Sequence, residues 1–450
     1  MKILSAFFLL LIIAASPASA DTFADAYGTI ADFFGTSAAR RTGLTAFPVL
    51  TIPVGGRYEG LGTAYTAVAR DTGFFDANPA ASASIERTEL ALQHTNLIAD
   101  ANMESIAYTS RFTNFGFGAA GKFLHVPFTE YDAFGDQVTT MRYTESVAGV
   151  NASYRLFNSF YRYGLAVGAN IKGAYRHIPD RIEPDQSAFA YMADFGLLTR
   201  FNFLKFHASR ERNFSLGLTA RNIGPPVQDD PLPSTLTAGL AYRPLRPVEL
   251  SFDFQLPIQP FTDLPAEPPA YAGGVSALVT EFFGLHTGFL LKGGNPRATI
   301  GGMLDFESTR FVANYTLDMT TQVGTVDRFS VEAAFKFGDR GRAERAQRAE
   351  EYYLEALLAF ADGDLTRTVE LSERALEVDS AFTPAEETLK SAERTLAMQR
   401  RLEAIPLDET IPVPDFDEDF EEELEERFEH QQDPDEPFND DIEVEGPANA

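Results

Sequence analysis

The chain has 450 residues, no cysteine, no tryptophan, 39 phenylalanines and 16 tyrosines, and 65 acidic against 37 basic side chains give it a formal charge of −28. Nucleic acid is excluded as a partner by that balance, because phosphate binding needs a basic surface. Without cysteine there are no disulfides, thiolate nucleophiles or cysteine-held metals, and six scattered histidines argue against a zinc enzyme.

At the amino terminus Lys2 precedes an apolar run, Ala6 to Ala15, and then Ser16-Pro17-Ala18-Ser19-Ala20. This is the pattern of a secretory signal over residues 1–20, and it places the mature chain outside the cytoplasm. The run is shorter than a spanning helix requires. No later apolar stretch is long enough either, so a membrane location has to be reached with strands.

Residues 21–84 do not alternate. A short helical pattern covers Ala24 to Phe34, followed by Gly55-Gly56-Arg57, the stretch Gly60-Leu61-Gly62-Thr63-Ala64-Tyr65, a single acidic member Asp71, and Asn78-Pro79-Ala80. Gly60 and Gly62 are poor phosphate-binding glycines, since no strand–turn–helix surrounds them; tight turns packing a plug suit them better.

Residues 85–337 break into segments of about ten residues in which apolar and polar side chains alternate, the signature of strands. In the last one Phe329, Val331, Ala333, Phe335 and Phe337 share one face and Ser330, Glu332, Ala334 and Lys336 the other. The spacing predicts strands near 85–95, 102–113, 115–127, 142–156, 162–176, 188–203, 213–222, 235–244, 247–257, 270–280, 283–292, 296–306, 308–318 and 326–337. Fourteen antiparallel strands of this length, with aromatic residues at segment ends and a terminal Phe337, predict an all-β transmembrane barrel in the outer membrane, both chain ends on the periplasmic side. A soluble β-sandwich alternates too, but lacks those aromatic ends.

In its glycine stretch, its Asn78-Pro79-Ala80 and its strand count, the chain resembles the FadL-type long-chain fatty-acid transporters and the related PorV-like outer-membrane proteins. The resemblance covers residues 21–337 in layout, and its motifs occupy about 57–80. It implies that 21–84 form a hatch inside the barrel, with Gly60, Gly62, Asn78 and Pro79 as its motif residues, and that the ligand is a fatty acid or similar lipid. In that family a kinked third strand opens the wall sideways. Gly116, Gly118 and Gly121 weaken the third predicted strand here and suit a bulge or lateral opening, or equally leave room for the hatch beside Gly60 and Gly62. The inward cations Arg155, Lys172, Arg200 and Arg221 are candidates for an amphiphile's head group; the alternative is that they pair with Glu145, Asp194, Glu249 and Asp253 to hold hatch and wall together.

Beyond Phe337 the period becomes helical. Residues 338–404 are rich in Ala, Glu, Leu and Arg, and Ala356, Gly363, Leu365, Ala375 and Leu376 fit one degenerate tetratricopeptide-like unit, with Thr368, Ser372 and Ser380 departing from it. So little core implies a docking module, and a periplasmic protein partner for residues 341–450 is the expectation. The tail, 405–450, is acidic: from Asp408 to Gly446 it holds 19 acidic groups and one Arg, and disorder is expected. Asp415, Asp417 and Asp419 lack the glycine of a calcium loop. Nothing assembles a catalytic site: there is no Gly-x-Ser-x-Gly elbow, and His286 is expected to hydrogen-bond inside the lumen. No enzyme activity and no cofactor are predicted. The alternative, implied by the PorV-like resemblance, is that the barrel is an anchor or scaffold presenting the helical module to a partner complex. The combined layout also resembles outer-membrane families of spirochaetes, in which such tailed barrels occur.

Overall fold

A computed structural model describes residues 45–404 except 183, 208–210, 293–294 and 319–325. The signal segment 1–20, the helical pattern Ala24 to Phe34, the acidic tail 405–450 and the Asp415 to Asp419 trio lie outside the described residues. The chain divides into two units, Met1–Ala392 and Glu393–Ala450.

The first unit is built on fourteen strands. They are β1 (Thr88–Asn96), β2 (Asn102–Phe112), β3 (Phe115–Tyr131), β4 (Gln137–Leu156) and β5 (Leu165–His177). Then come β6 (Ala188–Phe201), β7 (Phe214–Ile223), β8 (Thr235–Leu245), β9 (Val248–Pro257) and β10 (Ala270–Leu278). The last are β11 (Phe283–Lys292), β12 (Asn295–Asp305), β13 (Thr309–Asp318) and β14 (Val326–Phe337). Each pairs with its sequence neighbours in antiparallel fashion, and β1 pairs with β14, Thr88 opposite Phe337, to close the barrel. Every segment expected from alternation is a strand. The end holding Thr88 and Phe337 is called the base below, the opposite end the top.

Closure explains the pattern, because a closed sheet leaves no edge and can face hydrocarbon on its outside. Ile106, Phe123, Ile171, Phe189, Phe195, Leu218, Ile300 and Phe329 project outward and are exposed, while Thr109, Lys122, Glu145, Asn170, Asp194, Asp253, His286, Asn314 and Glu332 point inward and are buried. No helix among the described residues is long and apolar enough to cross a membrane.

The interior is occupied by residues 45–87. This inner segment has little regular structure, only three 3-10 turns (Pro48–Thr51, Thr72–Phe74, Pro79–Ser84) and a single helical turn, α1 (Gly56–Gly60). Phe47, Tyr65, Phe74, Phe75 and Ile85 of this segment are fully buried. Backbone polar groups buried without secondary structure need other partners; here the lumen side chains supply them.

After β14 the chain turns at Gly341 (φ +70°) into α2 (Arg342–Ala361), then α3 (Leu365–Val378) and α4 (Thr383–Glu403), which crosses into the second unit. Gly363, at φ +81°, ends α2 in the left-handed conformation that glycine adopts readily, and Asp364 caps α3 by accepting from Arg367 N at 3.0 Å. Ala349, Ala375, Phe382 and Ala385 form the helices' small core. Thr368 and Ser372, which fit the repeat pattern poorly, are fully buried on α3, and the Thr368 hydroxyl donates to Asp364 O at 2.8 Å. The helices rest on the base: Arg342 donates to Arg111 O at 2.8 Å, to Ile85 O at 3.3 Å and to Glu86 O, and the Phe160 and Phe382 rings meet at 5.1 Å.

Candidate functional site

Asp76 is the hub on one side of the inner segment. Its Oδ2 lies 2.8 Å from Lys122 Nζ on β3 and its Oδ1 3.5 Å from Lys172 Nζ on β5; Lys172 also reaches Asp194 on β6 at 2.7 Å. All four groups are buried. Burial would raise the Asp76 pKa, but the two ammonium groups outweigh it and hold the carboxyl below its ordinary range. Asp194 sits at a bulge, where the β6–β7 register shifts between Ala193 and Phe195, and its Oδ1 accepts from Asn222 N at 2.7 Å.

Across the lumen Arg310 on β13 stands between Glu89 (3.1 Å), Asp71 (3.7 Å) and Glu332 (3.7 Å). Other wall carboxylates accept from the segment's backbone. Glu332 takes Gly56 N at 2.7 Å, Glu145 takes Val49 N at 2.9 Å, and Asp253 takes Tyr65 N at 3.1 Å and Thr66 N at 3.0 Å. Arg328 holds Glu59 at 2.6 Å. The segment is thus fastened on all sides by side chains.

The glycines and the Asn-Pro pair are contact points. A Cβ at Gly60 would fall 2.1 Å from the His286 ring, and Gly62, at φ +62°, presses its backbone on Gly288 and Phe289 of β11. His286 itself bonds Asn314 Oδ1 at 2.6 Å, as its lumen position implies. Asn78 donates to Thr66 O at 2.8 Å and Leu197 O at 3.0 Å while its Oδ1 accepts from Ala80 N, and Pro79 O accepts from Asn151 at 2.9 Å.

On β3 the three glycines divide. Gly116 and Gly118 face inward, where a Cβ would strike the Ser82–Ala83 peptide at 2.2 Å and the Phe74 ring at 2.5 Å. Gly121 faces outward into a shallow apolar recess with Ile106, Ala119, Ala148 and Val150. Around all three, β3 is paired without interruption to β2 and β4; the β3–β4 register shifts only at Glu130/Tyr131. The strand therefore has no gap there in this conformation. The shorter ladder is β6–β7, which begins at Ala193 and leaves Ala188–Met192 outside it.

Of the four cations singled out from sequence, Lys172 is paired with Asp194 and Asp76, and Arg221 donates to Tyr58 Oη at 2.8 Å and to Asp76 O. Arg155 and Arg200 lie apart from these, near the base, both against the Tyr163 ring. Among the cavities that border the segment, two lie at opposite ends of the barrel. The top one, about 110 Å³, combines Leu50, Ile52, Leu232 and Leu290 with Arg221, Lys292 and Arg297; Lys292 pairs with Glu267 at 2.7 Å and Arg297 with Asp318 at 2.6 Å. The base one, about 770 Å³, is lined mainly by charged groups, among them Arg57, Arg70, Glu89, Glu249 and Arg310.

Asp76 and Glu59 were not singled out from the sequence. The available signal for Asp76 is its place two residues before Asn78-Pro79; Glu59 interrupts a glycine-rich turn and had none.

Comparison with known proteins finds relatives in Treponema pallidum (strain Nichols), each called a UPF0164 protein. One is 28% identical over 380 residues, 81% of this chain and 87% of the relative, and another 25% identical over 384 residues, 78% and 76% respectively. Among solved structures, the CymD monoaromatic hydrocarbon channel matches with a TM-score of 0.46 at 11% identity, over 65% of this chain and 99% of that one. The P. putida toluene transporter TodX matches at 0.43 and 12%, over 64% and 99%. A family model matches residues 24–340, and the chain belongs to that family, the uncharacterised protein family UPF0164.

Proposed function

We propose that this protein is an outer-membrane transporter for long-chain fatty acids or similar hydrophobic molecules, with the inner segment as a hatch that shifts to let the ligand past. The base faces the periplasm in this reading, since both the inner segment and α2 join the barrel there. One observation carries it: a closed barrel with an apolar exterior is filled by an irregular segment whose backbone and charged groups are fastened to the wall by ion pairs and hydrogen bonds, beside an apolar cluster in which Phe47, Phe74 and Phe75 of the segment join Met103, Leu124 and Met192 of the wall. The polar contacts can be exchanged for water or ligand, while the apolar cluster sets the resistance that rearrangement has to overcome. The top cavity sets Leu50, Leu232 and Leu290 beside Arg221 and the paired cations Lys292 and Arg297, and apolar contacts next to polar donors are what an amphiphile's first stop would use. Expression in a host lacking its own long-chain fatty-acid uptake tests the reading. Labelled oleate should enter several-fold faster than with empty vector, and uptake at the vector level would refute it.

A second reading is favoured by α2. Leu354, Leu357 and Leu358 form an exposed apolar stripe at helical spacing, which suits a tetratricopeptide-like module docking a periplasmic partner, the barrel then serving as anchor. Loss of uptake on removing residues 338–450 from a barrel that still assembles would tie the two readings together.

A further inference from the structure

The base of the barrel holds cations that take no part in fastening the segment through carboxylates. Arg155 and Arg200 approach the Tyr163 ring with guanidinium carbons 5.4 and 5.1 Å from its centre. Their acceptors are neutral and distant: Asn114 Oδ1 at 3.4 Å for Arg155, Ala69 O at 3.3 Å for Arg200. Arg111, beside them, donates to Ala83 O at 3.1 Å. The Nε atoms of Arg111 and Arg155 are buried with no acceptor. Arg212, on the β6–β7 connection, lines a cavity of about 140 Å³ with Arg200 and Tyr163. Burial, then Arg155 and Arg200, push the Arg212 pKa down.

Several other lumen cations are answered by charge: Lys122, Lys172, Arg243, Arg310 and Arg328 each have a carboxylate within 3.2 Å, while Arg221 has the Tyr58 hydroxyl and the Asp76 carbonyl and Arg176 the Gln228 amide. Among the described residues none of Arg111, Arg155, Arg200 and Arg212 forms an ion pair. Converging, partly dehydrated guanidinium groups with free donors are unfavourable unless an anion answers them. The planar fork matches an oxyanion in bidentate fashion, and several cations favour a dianion over a monoanion.

We propose that Arg155, Arg200 and Arg212, arranged around Tyr163 and backed by Arg111, form a binding site for a phosphate dianion, free or carried as a monoester, at the base of the barrel. The cavity also presents Ala67, Val68 and Ala241, so the phosphate can be free or can head an alkyl chain. It holds three carboxylates as well, Glu86, Glu211 and Glu249, of which Glu249 is paired with Arg70 and Arg243 and Glu211 with Arg243. The site is independent of whether the barrel carries fatty acids.

The test is calorimetric titration of the full-length protein, purified in a neutral maltoside detergent, with inorganic phosphate and with decyl phosphate. One saturable site is expected. Arg155→Gln with Arg200→Gln should weaken binding at least about tenfold, Arg212→Gln several-fold, and Arg181→Gln, an exposed cation paired with Glu130 at the top, not at all. Tighter binding of decyl phosphate assigns a lipid head group; equal binding assigns free phosphate. Both support the site. If the double variant fails to assemble, the Arg212→Gln titration decides, since Arg212 lies outside the strands. Absence of saturable binding to the wild-type protein, or binding that the arginine variants leave unchanged, overturns the proposal.

Discussion

Lys172 and Arg155 sit on neighbouring strands of one barrel and have opposite surroundings. Lys172 has Asp194 at 2.7 Å and Asp76 at 3.5 Å; Arg155 has an amide oxygen at 3.4 Å and an aromatic face. In the β4–β5 register Lys172 lies opposite Gly149 and Arg155 opposite Ala166, which puts them roughly 20 Å apart along the strands. The difference separates two uses of charge. Around Asp76 charges are matched and fasten the inner segment; around Tyr163 the arginines Arg155 and Arg200 have no carboxylate, although other base cations such as Arg310 and Arg243 do.

The largest effect should come from the matched side. Asp76→Ala leaves the buried Lys122 without its carboxylate and Lys172 with only Asp194, and loss of one partner from a buried pair costs about 3–5 kcal/mol. The variant should unfold at lower denaturant and expose residues 45–87 to protease; wild-type behaviour in both assays would remove Asp76 from the latch. Because the folded carboxyl lies below its ordinary range, its contribution is present at pH values above that range and is lost only as pH falls through the depressed value. Wild type should therefore loosen in acid, below the ordinary carboxylate range, through a step that Asp76→Ala lacks.

Gly118→Val comes next. Its side chain meets Phe74, an overpacking worth about 1–3 kcal/mol, whereas Gly121→Val points into the outer recess and should melt within error of wild type. Equal destabilisation by both would contradict the assignment of inward and outward faces. Arg342→Ala removes the hydrogen bonds to the Ile85, Glu86 and Arg111 carbonyls, and at a half-buried site about 1–2 kcal/mol is expected. Hydrogen exchange should then quicken in α2 and at residues 85–87 together, and quickening in α2 alone would show that the helices do not brace the segment. The smallest effect belongs to Arg155→Gln, within about 1 kcal/mol of neutral because no carboxylate is orphaned. A loss comparable to Asp76→Ala would erase the contrast with Lys172.

The barrel was legible because each strand writes its two solvents into alternate positions. Phe329, Val331 and Phe335 face outward and Ser330 and Glu332 inward, as a period of two requires. Strand ends differ from the sequence reading mainly where a hairpin climbs past it, as β3 and β4 do to Tyr131 and Gln137. The site was less legible. Alternation shows that Lys172 and Arg221 point inward and offers Asp194 as a wall partner, which Lys172 takes at 2.7 Å, but it does not show the contacts to Asp76 and Tyr58, which lie in a segment with no period at all. The β3 glycines read equally well as a bulge or as room for a neighbour; the close approach of Phe74 and the Ser82–Ala83 peptide accounts for Gly116 and Gly118, and no local rule could have named those contacts. The grip of Arg342 on Ile85 and Glu86 joins residues more than two hundred positions apart, beyond the reach of any pattern.

A lock on the inner segment tests the central claim most directly, and the absence of native cysteine makes it unambiguous. A Cβ built at Gly239 on β8 lies 2.8 Å from the Thr66 Cβ and 2.4 Å from Asp253 Oδ1, so a disulfide there needs the two Cβ atoms to part by about 1 Å and the Asp253 side chain to turn aside. In host cells carrying Thr66→Cys with Gly239→Cys, labelled long-chain fatty acid should enter at the vector level when the pair is oxidised and recover on reduction. Uptake that is the same in the oxidised and reduced states would show that the inner segment need not move, and would contradict its role as a hatch.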